Sequence, residues 1–196
     1  MFTSIAIIGR PNVGKSTLFN KLTKTREAIV SDFPGLTKDR NYGYIKLGSI
    51  KSFIIDTGGI GKDESNLSQN ISEQAWMAAN ECNLILFLVD GSENLTSEDF
   101  DILSSLRKLN KPFITLLNKS DKSSKSEALN DISSKGIKDY LDISAEHSRG
   151  LDDLKKLLIK MLPEKTDETV PDGKKIAVLG RPNAGKSTFI NNFIKE

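Results

Sequence analysis

Nine residues near the start of the chain, Gly9-Arg10-Pro11-Asn12-Val13-Gly14-Lys15-Ser16-Thr17, carry the spacing G-x-x-x-x-G-K-S. Each type has a use against a polyphosphate. Gly9 and Gly14 let the backbone turn tightly and approach a ligand, because no Cβ intervenes. The main-chain N–H groups of such a loop, and of the helix N-terminus behind it, face an anion. Lys15 reaches the outer phosphates as a point charge, and Ser16 offers its hydroxyl to Mg²⁺. The same series recurs almost verbatim as Gly180-Arg181-Pro182-Asn183-Ala184-Gly185-Lys186-Ser187-Thr188. A glycine-containing βα turn that binds nothing is the bland alternative; the repetition weighs against it.

Further clusters add to that chemistry. Asp56-Thr57-Gly58-Gly59-Ile60 follows the apolar Phe53-Ile54-Ile55. A carboxylate at Asp56 can hold Mg²⁺, usually through water, beside Ser16. Gly59 can turn its N–H toward a terminal phosphate, whose loss would release the loop. Asn118-Lys119-Ser120-Asp121 is suited to choosing a base. The Asp121 carboxylate only accepts hydrogen bonds. Guanine offers it two adjacent donors, N1–H and the exocyclic amine, whereas adenine presents an acceptor at N1. A buried site built for such a bond rejects the wrong partner by ~10⁴-fold. Asn118 can bond the base and tie loops together, and the Lys119 stem can cover the ring face. Ala145, after Ser144, can give a backbone N–H to the guanine carbonyl. Thr37, in a loop marked by Pro34-Gly35, can close a hydroxyl over Mg²⁺ when a γ-phosphate is present. Taken singly, each cluster also reads as a solvated turn or a strand-end cap. Read together, they lead us to expect a guanine nucleotide, GTP or GDP, as the ligand.

The elements that would position these residues follow from periodicity. Residues 4–8 read as a buried strand and 15–24 as the helix behind the loop. Residues 42–47 and 51–56 read as a hairpin joined by Gly48-Ser49-Ile50. Helices are expected over 71–81, 97–109, 127–135 and 150–162, and buried strands over 84–89, 113–117 and 139–143. The order predicts an α/β fold: a mostly parallel six-stranded sheet with one antiparallel strand and helices on both faces. Ligands of such sheets sit outside the carboxyl ends of the strands, and every cluster above falls at such an end. Residues 1–163 are expected to form the first domain and 164–174 a charged linker with Pro171 and Gly173. Residues 175–196 then read as one strand, the second phosphate loop and the start of a helix. That loop, Gly180 to Ser187, is expected to bind nucleotide only in a longer chain that supplies its own base-reading motif.

Composition sets the outer limits. A 37% hydrophobic and 28% charged chain of 196 residues suits an ordinary globular protein. A net charge of +2 gives no strong basic footprint, and no DNA partner is expected. Cys82, the single cysteine, excludes an internal disulfide and reads as a small apolar filler. His147 reads as a surface residue. No apolar run approaches the ~20 residues of a membrane span, so a cytoplasmic protein without a membrane partner is expected.

Together, Gly9–Ser16, Thr37, Asp56-Thr57-Gly58-Gly59, Asn118-Lys119-Ser120-Asp121 and Ser144-Ala145 resemble the five G-motifs of a P-loop GTPase of the translation-factor class. The near-repeat narrows the resemblance to the Der (EngA) family of bacterial GTPases with two G domains in tandem. Asp32-Phe33-Pro34-Gly35-Leu36-Thr37-Lys38-Asp39-Arg40 is similar to that family's first switch loop. The resemblance covers a first G domain and the opening of a second. It implies Mg²⁺-dependent GTP hydrolysis carried by Lys15, Thr37, Gly59 and Asn12, and coupled to assembly of the large ribosomal subunit and its rRNA. In signalling GTPases a glutamine follows the D-x-x-G motif and positions the attacking water. Here that place holds Ile60, which cannot. In GTPases resembling this one a K⁺ ion held partly by the loop asparagine offsets charge; Asn12 matches it, and Asn183 matches it in the second loop. Slow, K⁺-stimulated hydrolysis is therefore expected. A GTP/GDP-responsive RNA-binding scaffold with negligible hydrolysis is the alternative that Ile60 permits. An adenine-nucleotide enzyme is a third, against which Asp121 argues.

Overall fold

Alternation along the strands decides the architecture. In β1 (Thr3–Ile8) Ile5 and Ile7 join one apolar cluster while Ala6 and Ile8 join another. The same split runs through β4 (Leu84–Asp90): Leu84, Leu86 and Leu88 face one side, Ile85, Phe87 and Val89 the other. A strand covered on both faces reads as a continuous apolar run, which these do. The computed structural model describes residues 3–23, 41–57, 73–121, 137, 140–162, 185 and 188. Thr37, Gly58, Gly59, Ile60, the expected helix over 127–135, the linker over 164–174 and the second phosphate loop apart from Gly185 lie outside the described residues.

The chain divides into two compact units, Met1–Lys165 and Thr166–Glu196. In the first, β1 leads to α1 (Lys15–Leu22), then to the hairpin of β2 (Asn41–Leu47) and β3 (Ile50–Asp56). There follow α2 (Glu73–Glu81), β4, α3 (Ser97–Lys108), β5 (Phe113–Asn118), β6 (Tyr140–Asp142) and α4 (Leu151–Met161). The six strands stand in the order β2-β3-β1-β4-β5-β6. Only β2 runs antiparallel to its neighbour, and all other pairings are parallel. Leu18 and Leu22 of α1 and Leu151, Leu154 and Leu158 of α4 pack on one face of the sheet. Ala75, Ala78 and Ala79 of α2 and Ile102, Leu103 and Leu106 of α3 pack on the other. The expected fold class is therefore the observed one.

Differences from the sequence expectation are local. The hairpin link has two residues, not three, because Ile50 pairs with Leu47 and is buried. Gly48 takes φ +60°, the positive value a type II′ turn requires at its first central position. Helix α3 starts as expected: Thr96 Oγ1 accepts from Asp99 N–H, and Asp99 Oδ2 accepts from Thr96 N–H, a reciprocal capping box. Cys82 is buried, and burial pushes its thiol up, as suits a filler. In the second unit Gly185 takes φ +78°.

Candidate functional site

Parallel pairing brings the strand ends to one rim. Ile7 of β1 stands opposite Asp56 of β3, Asp90 of β4 opposite Asn118 of β5, and Leu117 opposite Asp142 of β6. The loops leaving β1, β5 and β6 line a cleft of about 360 Å³. Asn12, Gly14 and Thr17 line one part of it, and Asn118, Lys119, Asp121, Ser144 and Glu146 the rest. Three clusters spread over more than a hundred residues of chain thus share one cavity.

The phosphate loop is shaped by its own backbone. Gly14 caps α1 in the left-handed region at φ +99°, where L side chains are strained. Asn12 also takes a positive φ, 65°. Val13 is fully buried in the core, so its side chain anchors the loop, and Pro11 and Asn12 are exposed above it. Lys15 Nζ donates to the carbonyls of Gly9 and Arg10, both at 2.8 Å. Burial pushes the Lys15 ammonium down from 10.5, and the charges of Asp56 and Glu98 oppose that. The ammonium is thus folded onto its own loop. Ser16 and Thr17 are exposed on the first turn of α1.

Asp56 ends β3 and is only 2% exposed. Its charge reaches Lys15, which places it beside the phosphate loop. A buried carboxylate and an exposed hydroxyl, Asp56 and Ser16, are the hard oxygen donors that Mg²⁺ takes. Thr57, by contrast, spends its hydroxyl on the fold: Oγ1 donates to the Ile7 carbonyl at 2.6 Å.

Asn118 is the joint of the site. Its Nδ2 donates to the Val13 carbonyl at 2.8 Å, and its Oδ1 accepts from the Ala145 N–H at 2.9 Å. One buried amide therefore ties the phosphate loop to the loop after β6. The Ala145 N–H, expected at a guanine carbonyl, is committed to Asn118 here. Lys119 takes φ +62°, and its ammonium pairs with Asp90 at the end of β4. Burial would raise the Asp90 carboxyl; the hydrogen bond from Lys119 and two from Ser92 outweigh it and hold the group below 3.8. Gly91 N–H also donates to the Asn118 carbonyl at 2.7 Å, so the turn after β4 braces the base-reading motif from below. Ser120 and Ser144 are buried, with Ser120 N–H on the Ile143 carbonyl. Asp121 sits at the cleft with Oδ2 3.6 Å from His147 Nε2.

One placement departs from the motif reading. Arg10 is not turned into the cleft: its guanidinium pairs with Asp99 and Glu93 at the start of α3. Its fork finds two carboxylates there, one of them buried. His147, expected on the surface, is exposed, and its imidazole stands beside Asp121. Asp90 and Glu93 escaped sequence reading, because isolated acidic residues carry no motif; Asp99 is legible only as a first-turn acid of α3, not as the partner of Arg10.

A family model described as "50S ribosome-binding GTPase" matches residues 4–119 and 175–196. The chain belongs to this family. The curated relatives it matches bear out the resemblance to Der. GTPase Der of Legionella pneumophila (strain Corby) is 47% identical over the full chain, and GTPase Der of Geotalea daltonii is 46% identical over 97% of it. The chain spans 43% and 44% of those two proteins' lengths. Among solved structures, Aquifex aeolicus Era bound to GDP and AlF4⁻ is 32% identical with a TM-score of 0.67, over 84% of this chain and 58% of Era. The G domain of the T. maritima FeoB iron transporter, 22% identical with a TM-score of 0.61 over 82% of this chain and 99% of that one, shares the fold.

Proposed function

We propose that the chain binds GTP and GDP in the cleft at the carboxyl rim and hydrolyses GTP to GDP and phosphate as a switch. The observation that carries this is the joint at Asn118, which holds the phosphate loop and the base-reading loops against one 360 Å³ cavity. Gly14 and the α1 N-terminus would receive the phosphates, with Lys15 turning its ammonium to them from the loop carbonyls. Asp121 would read the guanine edge, and Lys119, held from below by Asp90, would lay its stem along the ring. Ala145 would share its N–H between Asn118 and the guanine carbonyl. Ser16, Asp56 and Thr37 would hold Mg²⁺, which when bound neutralises phosphate charge. The protein's share is positioning and electrostatics rather than a side-chain nucleophile. Gly59 would give its N–H to the terminal phosphate, and Asn12 would help hold a K⁺ ion.

The relatives' names and the matched family support a wider reading of the same site. Residues 1–163 would be a first G domain, 164–174 a linker and 175–196 the opening of a second, whose loop binds GTP only in a longer protein. The whole protein would act in the cytoplasm on the large ribosomal subunit and its rRNA, without a membrane or DNA partner. Among the described residues no helix is long and apolar enough to cross a membrane.

Single-turnover hydrolysis with Mg²⁺, in K⁺ and in Na⁺ buffers and with ATP as control, tests the proposal. GDP should form from GTP, faster in K⁺, and ATP should be neither bound nor cleaved. Tight GTP binding without GDP formation would favour a nucleotide-responsive scaffold instead, and equal rates in both salts would remove the ion.

A further inference from the structure

Arg10 occupies the second place of the phosphate loop, yet its side chain leaves the cleft. Its Nε donates to Asp99 Oδ2 at 3.1 Å, and a terminal nitrogen pairs with Glu93. Asp99 is 1% exposed and is the residue that closes the α3 capping box, accepting from Thr96 N–H at 3.0 Å and Thr96 Oγ1 at 2.9 Å. Its other oxygen, Oδ1, has no hydrogen-bond partner among the described residues. A buried carboxylate with one orphaned oxygen depends on a cation nearby, and Arg10 supplies it. Meanwhile the Arg10 carbonyl is one of the two that hold Lys15 Nζ. The residue thus grips α3 with its side chain and the phosphate-binding lysine with its main chain. Glu98, on the same first turn of α3, adds a further negative charge facing Lys15.

We propose that Arg10 is a positioning residue rather than a nucleotide contact: through Asp99 it pins the first turn of the phosphate loop to the N-terminus of α3 and so keeps the loop preformed for phosphate. Pre-organisation of this kind lowers the ordering cost of binding. Glu93, half exposed, is the outer and weaker half of the clamp. This rests on the nucleotide reading of the cleft.

A double-mutant cycle on the full 196-residue chain, read by GDP and GTP affinity, tests it. Arg10→Ala and Asp99→Asn should each weaken both nucleotides about ten-fold, the scale of one charge-assisted bond. The double variant should be no weaker than either single, because both remove the same ion pair: Asp99→Asn keeps the oxygen on which Thr96 and Arg10 Nε both donate but takes away its charge. Asp99→Asn keeps an oxygen for the Thr96 cap, so it guards against a simple failure to fold; Arg10→Lys should recover part of the loss. Hydrolysis at saturating GTP should change less than affinity, since the clamp acts on loop geometry before chemistry. Affinity within two-fold of the wild type in either single variant, with a lowered melting temperature, would make the clamp purely structural and overturn the proposal. Losses that multiply in the double variant would overturn it too. A wild-type chain that binds no GDP would instead sink the nucleotide reading itself.

Discussion

Replacing Asn118 with alanine removes both bonds by which one amide joins two loops. The Val13 carbonyl at 2.8 Å and the Ala145 N–H at 2.9 Å lose their partner together. Asn118 is 3% exposed, Val13 is fully buried and Ala145 is 1% exposed, so both abandoned groups are buried, and water reaches them only from the cleft that Asn118 lines. An orphaned buried polar group costs ~1–3 kcal/mol, so the two should cost ~2–6 kcal/mol in all. Against a typical stability of ~5–15 kcal/mol, that is a large fraction. Asn118→Asp should not rescue the loss. One carboxylate oxygen still accepts from Ala145, but the other meets the Val13 carbonyl, acceptor against acceptor, inside the core. Urea unfolding of the nucleotide-free chain, followed by the fluorescence of the single tryptophan, Trp76, reads the difference from the midpoint. Nucleotide must be absent, since a ligand bound to the folded state would raise apparent stability by mass action. A loss below ~0.5 kcal/mol, the scale of an unremarkable surface change, would refute the reasoning. So would an aspartate variant as stable as the wild type.

Other outcomes follow from the same geometry. A Cβ on Gly14 would lie 2.4 Å from Asn118 Nδ2 at a φ of +99°, so Gly14→Ala should cost ~2–4 kcal/mol from left-handed strain and the displaced amide; a melting temperature equal to the wild type's would contradict this. Asp90 has its carboxyl held below 3.8 in the folded chain, so its contribution to stability is present above the unfolded value and is lost as pH falls through the folded one. Asp90→Asn should therefore be less stable than the wild type at pH 7 and approach it in acid, once the pH has fallen through the folded-state value and the native group is protonated as well. A gap of the same size in urea melts at pH 7 and in acid would rule that out.

The sheet was legible because its strands are covered on both faces. Leu84–Asp90 is an unbroken apolar run closed by a carboxylate, and all seven of its residues are buried. Helix α4 was equally plain from Leu151, Leu154 and Leu158 on one side, all buried. The rim location of the site followed from topology alone, since parallel strands must send their motif-bearing ends one way. What could not be read were pairings between residues far apart in sequence. Nothing in the order of residues says that Arg10 meets Asp99, 89 places away, instead of phosphate. Nor does it say that Asn118 spends both ends of its amide on Val13 and Ala145, 105 and 27 places away. Lys119 was assigned by motif to a ring face, but where its ammonium ends depends on Asp90 across the β4–β5 pairing. Motifs name the residue types that a ligand needs; only packing says which of those side chains also hold the loops in place.

The central claim is that the carboxylate at Asp121 selects guanine in the cleft. Titrating Asp121→Asn with GTP, ATP and xanthosine triphosphate tests it most directly, because an amide donor suits the extra xanthine carbonyl. GTP should weaken by at least ~100-fold, xanthosine triphosphate should become the preferred ligand, and ATP should remain unbound. Unchanged GTP affinity in the variant, or ATP bound as tightly as GTP by the wild type, would contradict the account.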